Sequence, residues 1–485
     1  MTAVSGRRAL LVAGLATLLC IAGPGWSVAA EPAVRPPGVP PPVNPAALPS
    51  PASVSALPYI VNNRATRQTG PVEQQAACQQ PPAGSARNVE AEPAAQQRLR
   101  IRQVQQFAIG RGQRVAVIDS GVHPHPRLAG RLIDGGDYID NRSGLFDCDG
   151  HGTAVAGLIA AAPDPVTRFV GVAPAAEILA IRQASTFYSV PLRQLDTGQD
   201  VRSPITGDTV SMAAAVMRAV QLGATVINVS EAACFPAERD QVNAPDLQAA
   251  VHYAVEHNAV VVVAAANTGN ICQQNSPGVV STISSPGWFD DDVLTVAATD
   301  GNGDAADFSI RGPWVDVAAP GTGAVSLASA GPGLITELVD AHGAARPLDG
   351  TSFATPYVAG LAALVRDRFP NLTARQVMRR IEQTAQHTAG PGGRSEELGY
   401  GMVDPVAALT AVLPEEQNSG PAPVQPAKLS GLQPPPSDNP LPRTVALAGS
   451  AAALALLALT LLITHTLKRH RQHRPHDRIQ RAERG

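Results

Sequence analysis

The chain has 485 residues with 37 Lys or Arg against 40 Asp or Glu, a formal net charge of −3 that gives no electrostatic ground for nucleic-acid binding. With 44% apolar and 16% charged residues it can bury one large or two ordinary domains, so a wholly disordered chain is excluded.

Residues 1–30 read as an export signal: Arg7 and Arg8 give a positive start, Ala9 to Ala22 form a short apolar run, and Val28-Ala29-Ala30 offers small side chains for cleavage before Glu31. The run is short for a bilayer span, which makes an N-terminal anchor the weaker alternative, and whether Arg7-Arg8 marks a twin-arginine route stays open. Residues 31–58 hold ten prolines in 28 positions, too many for helix or sheet hydrogen bonding. They open a Pro-rich N-terminal extension assigned to residues 31–99.

Residues 100–412 alternate short apolar runs with helical patterns. Arg114–Ile118, Ile178–Ile181, Thr225–Val229, Val260–Ala264 and Val293–Ala297 predict buried strands, and segments near 151–162, 209–222, 245–258, 351–369 and 373–387 predict helices. The expected fold class is α/β, a mainly parallel central sheet with helices on both faces. Thr373 with Gln376 predicts a capping box. No period of 20 to 50 residues disposes the chain to a solenoid.

In such a sheet, chemistry collects at the carboxyl ends of the strands. Asp119 follows Val115-Ala116-Val117-Ile118 and precedes Ser120-Gly121, so a carboxylate is delivered onto a turn there. His151 opens a small-residue helix in Asp149-Gly150-His151-Gly152-Thr153, and Ser352 opens another in Asp349-Gly350-Thr351-Ser352-Phe353. A carboxylate, an imidazole and a hydroxyl on three elements are what nucleophilic acyl transfer needs. Ser352 requires a base as it attacks a carbonyl, His151 has the pKa for that, and Asp119 would fix the imidazole tautomer. The Ser352 N–H and the amide of Asn267, just beyond the Val260 strand, are the candidate oxyanion donors. Taken singly, each residue has a structural reading: turn carboxylate, capping histidine, N-cap serine, turn asparagine.

Cys20 lies in the signal segment, leaving Cys78, Cys148, Cys234 and Cys272 in a compartment that permits disulfides. Two bridges are expected, and spacing does not choose among the three pairings. With no Cys-x-x-Cys pair, a zinc site is a poor alternative.

A second Pro-rich linker, residues 413–443, has nine prolines within 414–442 and reads as a spacer rather than a docking strip. Val445 to Leu467 then gives 23 residues without Asp, Glu, Lys or Arg, about 34 Å as a helix and enough to cross a bilayer, so residues 444–467 are assigned as a transmembrane helix. A buried core helix is the alternative. The tail, 468–485, carries seven Lys or Arg against two acids and is expected to stay cytoplasmic, which makes the chain a single-pass cell-membrane protein with its catalytic domain on the extracytoplasmic side.

Val117-Ile118-Asp119-Ser120-Gly121, His151-Gly152-Thr153-Ala154-Val155-Ala156-Gly157, Asn267 after an apolar strand, and Gly350-Thr351-Ser352-Phe353-Ala354-Thr355-Pro356 resemble the four motifs of the subtilisin-like serine proteases, in that family's order of Asp, His, Ser. Trp314–Gly321 and Gly399–Asp404 resemble further stretches of it, so the likeness spans about 300 residues. With the signal, spacer, span and arginine-rich tail, the whole chain resembles the mycosins, the membrane-anchored subtilases of mycobacterial type VII secretion. That resemblance implies a subtilisin-like fold, disulfides Cys78–Cys148 and Cys234–Cys272, and an N-terminal extension that wraps around the catalytic domain and stays attached. It implies a serine endopeptidase acting on exported proteins, or a structural component of the type VII secretion membrane complex whose role is independent of cleavage. No cofactor and no metal are expected.

Three departures from the family pattern stand out. Ser230-Glu231-Ala232-Ala233 replaces the Ser-Leu-Gly common along the substrate edge, Ala265-Ala266 precedes Asn267 where Gly often stands, and Ser120 takes the place of the commoner Thr. Asp300-Gly301-Asn302-Gly303-Asp304 lacks the Gly and Glu of an EF-hand loop at Ala305 and Arg311 and reads as a turn between strands.

Overall fold

The structure is a computed structural model that describes residues 39–50, 54, 66–79, 91–205, 207–237, 244–269, 271–416 and 441–472. The export signal, most of the second Pro-rich linker and the end of the basic tail lie outside the described residues.

Seven strands build the central sheet: β1 (Arg114–Asp119), β2 (Leu132–Asp137), β3 (Glu177–Arg182), β4 (Val226–Val229), β5 (Val260–Ala264), β6 (Leu294–Thr299) and β7 (Val317–Pro320). Their order is β7-β6-β5-β4-β1-β3-β2 and every pairing is parallel. The five apolar runs therefore form strands for the reason that made them visible: a strand covered on both faces buries every side chain, as all five residues of β5 do. The Asp300 segment is a turn directly after β6, in which the Asp300 carboxylate accepts the N–H groups of Asn302, Gly303 and Asp304.

Helices α1 (His151–Ala160), α2 (Thr209–Gln221), α3 (Pro245–Glu256), α4 (Thr351–Arg368) and α5 (Ala374–Gln383) cover the sheet, α1 packing with α4 and α2 with α3. Small residues are buried along both helices, Ala154, Ala156 and Gly157 in α1 and Ala359, Gly360 and Ala363 in α4; a Cβ on Gly157 would run into Ser326 and Leu327, and one on Gly360 into Val172. The capping box of Thr373 and Gln376 is present at α5, which ends at Gln383, short of its expected end near 387.

The N-terminal extension lies against the catalytic domain at separate points. Strand Ser185–Gln194 pairs antiparallel with Asp200–Ile205, and the extension adds Thr66–Gln68 and Glu73–Gln74 to the same small sheet. Gln248 donates to the Pro41 carbonyl, and the Tyr138 hydroxyl donates to that of Val54. Both disulfides are present with the implied pairing, Cys78–Cys148 and Cys234–Cys272. The first ties the extension to the loop just ahead of His151.

Residues Leu441–Gln472 form one continuous helix, α6, over the whole of the proposed span. Its described side chains run from Ala453 to Lys468, and among the described residues no helix is long and apolar enough to cross a membrane. Leu454, Leu456, Leu457, Leu459, Leu461, Leu462, Ile463 and Leu467 all stand exposed.

Candidate active site

Three elements deliver three side chains to one edge of the sheet. Asp119 ends β1, fully buried. His151 is the first residue of α1, entered through Gly150 in the left-handed region at φ 77°. Ser352 is the second residue of α4 and is 8% exposed.

The close approach of β1 and α1 depends on Gly152, where a Cβ would fall 2.0 Å from the Gly121 carbonyl oxygen and 3.1 Å from Asp119 Oδ1.

His151 Nδ1 lies 2.7 Å from Asp119 Oδ1, and its Nε2 lies 3.0 Å from Ser352 Oγ. A carboxylate only accepts, so Nδ1 carries the proton and Nε2 presents its lone pair to the Ser352 hydroxyl. The arrangement can take a proton from Ser352 as the oxygen attacks. Burial works to lower the His151 pKa, but Asp119, by charge and hydrogen bond, together with Glu231 and Asp147, outweighs it and holds the imidazole above its ordinary 6.5.

Asn267 stands three residues past β5 and directs its Oδ1 to the Thr351 N–H and hydroxyl, at 2.9 and 3.0 Å. That leaves the amide nitrogen free for a guest. Gly350 keeps the intervening space open, because a Cβ there would lie 3.0 Å from Ser352 Oγ and 3.3 Å from Asn267 Nδ2. Ala266 holds φ at +80°, the left-handed region that Gly adopts without strain, which accounts physically for Gly being common at this place.

Several supporting residues were not singled out from sequence for any role. Asp147 accepts from Ser120 Oγ and Gly150 N with one oxygen and from Thr153 N and Oγ1 with the other. Burial still pushes its carboxyl up to about 7. Asp149 takes the Thr186 N–H and hydroxyl and the Ser185 hydroxyl. Ser230, held by Asn228, donates to the Ser352 carbonyl at 3.0 Å. The acids crowding Asp147-Cys148-Asp149 ahead of His151 were the one available signal.

Among the described residues, one group of possible metal ligands has its donor atoms within 4.8 Å of one another: Asp119, His151 and Glu231. A metal there would compete for the Asp119 and His151 atoms already joined by a hydrogen bond. The residues fit a proton relay better than a metal centre.

The subtilase family profile matches residues 110–401, a stretch that contains all of these side chains. Mycosin-4 of Mycobacterium tuberculosis is 45% identical over 383 residues, covering 76% of this chain and 80% of that protein. The chain belongs to the subtilase family and, within it, to the mycosins. It is a serine endopeptidase. Mycosin-1 of Mycolicibacterium smegmatis is 40% identical and covers 80% of this chain and 87% of its own. Among solved structures, the MycP3 protease of the type VII (ESX-3) secretion system superposes with a TM-score of 0.66 at 40% identity, covering 77% of this chain and 100% of that one. A chain of an intact ESX-5 inner membrane complex gives 0.67 at 38% identity, over 88% of this chain and 99% of that one. The mycosin fold thus carries the subtilisin-like α/β sheet expected from the motifs.

Proposed function

We propose that this chain cleaves exported proteins at the outer face of a cell membrane, with Ser352 as nucleophile, His151 as general base and then acid, and Asp119 as the group that orients and charges the imidazole. Ser352 Oγ attacks the scissile carbonyl as its proton passes to Nε2. The oxyanion that forms is received by the Asn267 amide and the Ser352 N–H. His151 returns the proton to the leaving amine, and water repeats the sequence on the acyl-enzyme. The observation that carries this reading is the unbroken relay of 2.7 and 3.0 Å from Asp119 through His151 to Ser352. A serine-directed phosphonate should label the wild-type domain and not Ser352→Ala, and a wild-type protein inert to the reagent would end the enzymatic reading.

The same proposal divides the chain into a signal at 1–30, an extension at 31–99, the catalytic domain at 100–412, a linker at 413–443, one membrane span at 444–467 and a cytoplasmic tail at 468–485. The apolar run Val445–Leu467 within one uninterrupted helix supports the span. Extraction with detergent but not with alkaline carbonate, lost on deletion of residues 444–485, is the expected behaviour.

A second reading is favoured by the ESX-5 inner membrane complex and its periplasmic assembly, each of which contains a chain similar to this one at 38% identity. In it the chain is a structural part of a type VII secretion membrane complex, independent of proteolysis. Ser352→Ala separates the two, since lost cleavage with intact secretion favours the structural role and lost secretion favours proteolysis.

A further inference from the structure

The substrate edge departs from the family pattern at one charged residue. Glu231 follows the strand β4 and the serine that holds the Ser352 carbonyl. It lines two adjoining cavities beside the relay. One has apolar walls from Met212, Leu247, Ala233 and Pro286; the other contains His151, Asp149, Asp340 and Arg346.

The carboxylates around these cavities are otherwise satisfied. Asp149 is held by Ser185 and Thr186, Asp340 by Arg346 and two backbone N–H groups, and Asp208 by the first turn of α2. Glu231 makes no hydrogen bond and no ion pair among the described residues, yet its carboxylate comes within 4.8 Å of ligand atoms of both Asp119 and His151. A partly buried acid with no hydrogen-bonded partner among the described residues, and only the charge of His151 beside it, is complemented either by a proton or by a cation from outside.

We propose that Glu231 is a specificity-determining residue that makes this protease select a Lys or Arg side chain in the substrate segment lying beside His151. The aliphatic stem of such a side chain lies along Met212, Leu247 and Pro286 while its charged head reaches the carboxylate, the division of labour that long cationic side chains suit. An acidic substrate side chain would be repelled there by Glu231, Asp119 and Asp149 together. Burial, with repulsion from Asp119, pushes the Glu231 carboxyl up against the opposing pull of His151, and a docked cation adds to that pull. This inference rests on the active-site reading above.

The test uses the full chain and internally quenched peptides that differ at one residue, Lys, Arg, norleucine or Glu, at each of the four positions before the scissile bond. Phosphonate labelling of Ser352 is measured in parallel. Expected is a preference in kcat/KM of at least about tenfold for Lys or Arg over norleucine at one position. That preference should fall to about threefold or less in Glu231→Gln and turn toward Glu in Glu231→Arg. Wild-type protein that reacts with phosphonate yet shows no cation preference overturns the specificity proposal alone, and so does an undiminished preference in Glu231→Gln. Failure of the wild-type protein to react with phosphonate overturns the proposal together with the active-site reading.

Discussion

The hydroxyl of Ser120 donates to Asp147 Oδ1 at 2.9 Å and accepts the Gly152 N–H at 2.9 Å, so the turn after Asp119 and the helix of His151 meet in one buried junction. Ser120→Ala leaves the Gly152 N–H unsatisfied and takes one donor from a carboxylate that has four. The expected loss is about 1–2 kcal/mol of stability, with kcat falling and KM nearly unchanged because the relay geometry loosens while the cleft does not. Denaturant unfolding and peptide kinetics measure the two effects. An unaltered kcat would mean that the junction is structural only.

Much of this site was legible because its chemistry is carried by short motifs placed at strand ends. Asp119, His151, Asn267 and Ser352 could be assigned to the correct elements before any geometry was known. Strands whose burial is continuous, such as Val260–Ala264, could be read as well. Leu132–Asp137 could not: it is an edge strand carrying Gly135 and Gly136, with only one of six residues buried. Val317–Pro320 is four residues ending in Pro and gives too little apolar pattern for detection. The small sheet joining Thr66–Gln74 to Ser185–Ile205 depends on pairing across more than a hundred residues, which local periodicity does not encode. Glu231 was visible only as a departure from the family pattern, because its relation to His151 is a matter of tertiary distance.

The pH dependence follows from the charges around His151. The imidazole must be unprotonated at Nε2 to take the Ser352 proton, so kcat/KM rises with pH through the His151 pKa, held above 6.5 by Asp119, Glu231 and Asp147 against burial. Replacing Glu231 by Gln removes a negative charge that favours the imidazolium. The midpoint of the acid limb should therefore move to lower pH in Glu231→Gln, measured on a peptide without ionisable side chains. A midpoint that stays in place or rises would show that Glu231 does not act on the imidazole.

The backbone at Ala266 sets a third expectation. At φ +80° a β-branched side chain meets the carbonyl far more severely than a methyl does, and Asn267 is the next residue. Ala266→Val should destabilise the domain by about 2–3 kcal/mol and reduce turnover through displacement of the Asn267 amide. Ala266→Gly should fold at least as well as the wild type. Equal melting temperatures for the Val and Gly variants would contradict this account.

Cys78–Cys148 closes a loop of 70 residues between the extension and the segment ahead of His151. Gln79, the neighbour of Cys78, donates to the carbonyls of Asp149 and Val339 and so fastens the same segment to the strand Glu337–Val339 at the cleft. Loss of the bridge in a Cys78→Ser, Cys148→Ser double variant should cost about 4 kcal/mol by the loop-entropy relation, seen as a lowered unfolding midpoint. Activity should fall more steeply than the folded fraction, since the loop that aims His151 loses its anchor. Activity that tracks the folded fraction would confine the bridge to stability.

Gly350 offers the most direct test of the oxyanion geometry. A methyl at this position would sit 3.0 Å from Ser352 Oγ and 3.3 Å from Asn267 Nδ2, in the gap between nucleophile and amide donor. It would crowd the developing oxyanion while leaving the Asp119–His151 hydrogen bond untouched. Gly350→Ala should lower kcat by about 10²–10³, the effect of losing one oxyanion donor. Because the pair that activates Ser352 survives, slow labelling by a small sulfonyl fluoride should persist when peptide hydrolysis is almost gone. Wild-type hydrolysis by Gly350→Ala would place the oxyanion elsewhere and remove Asn267 from the mechanism.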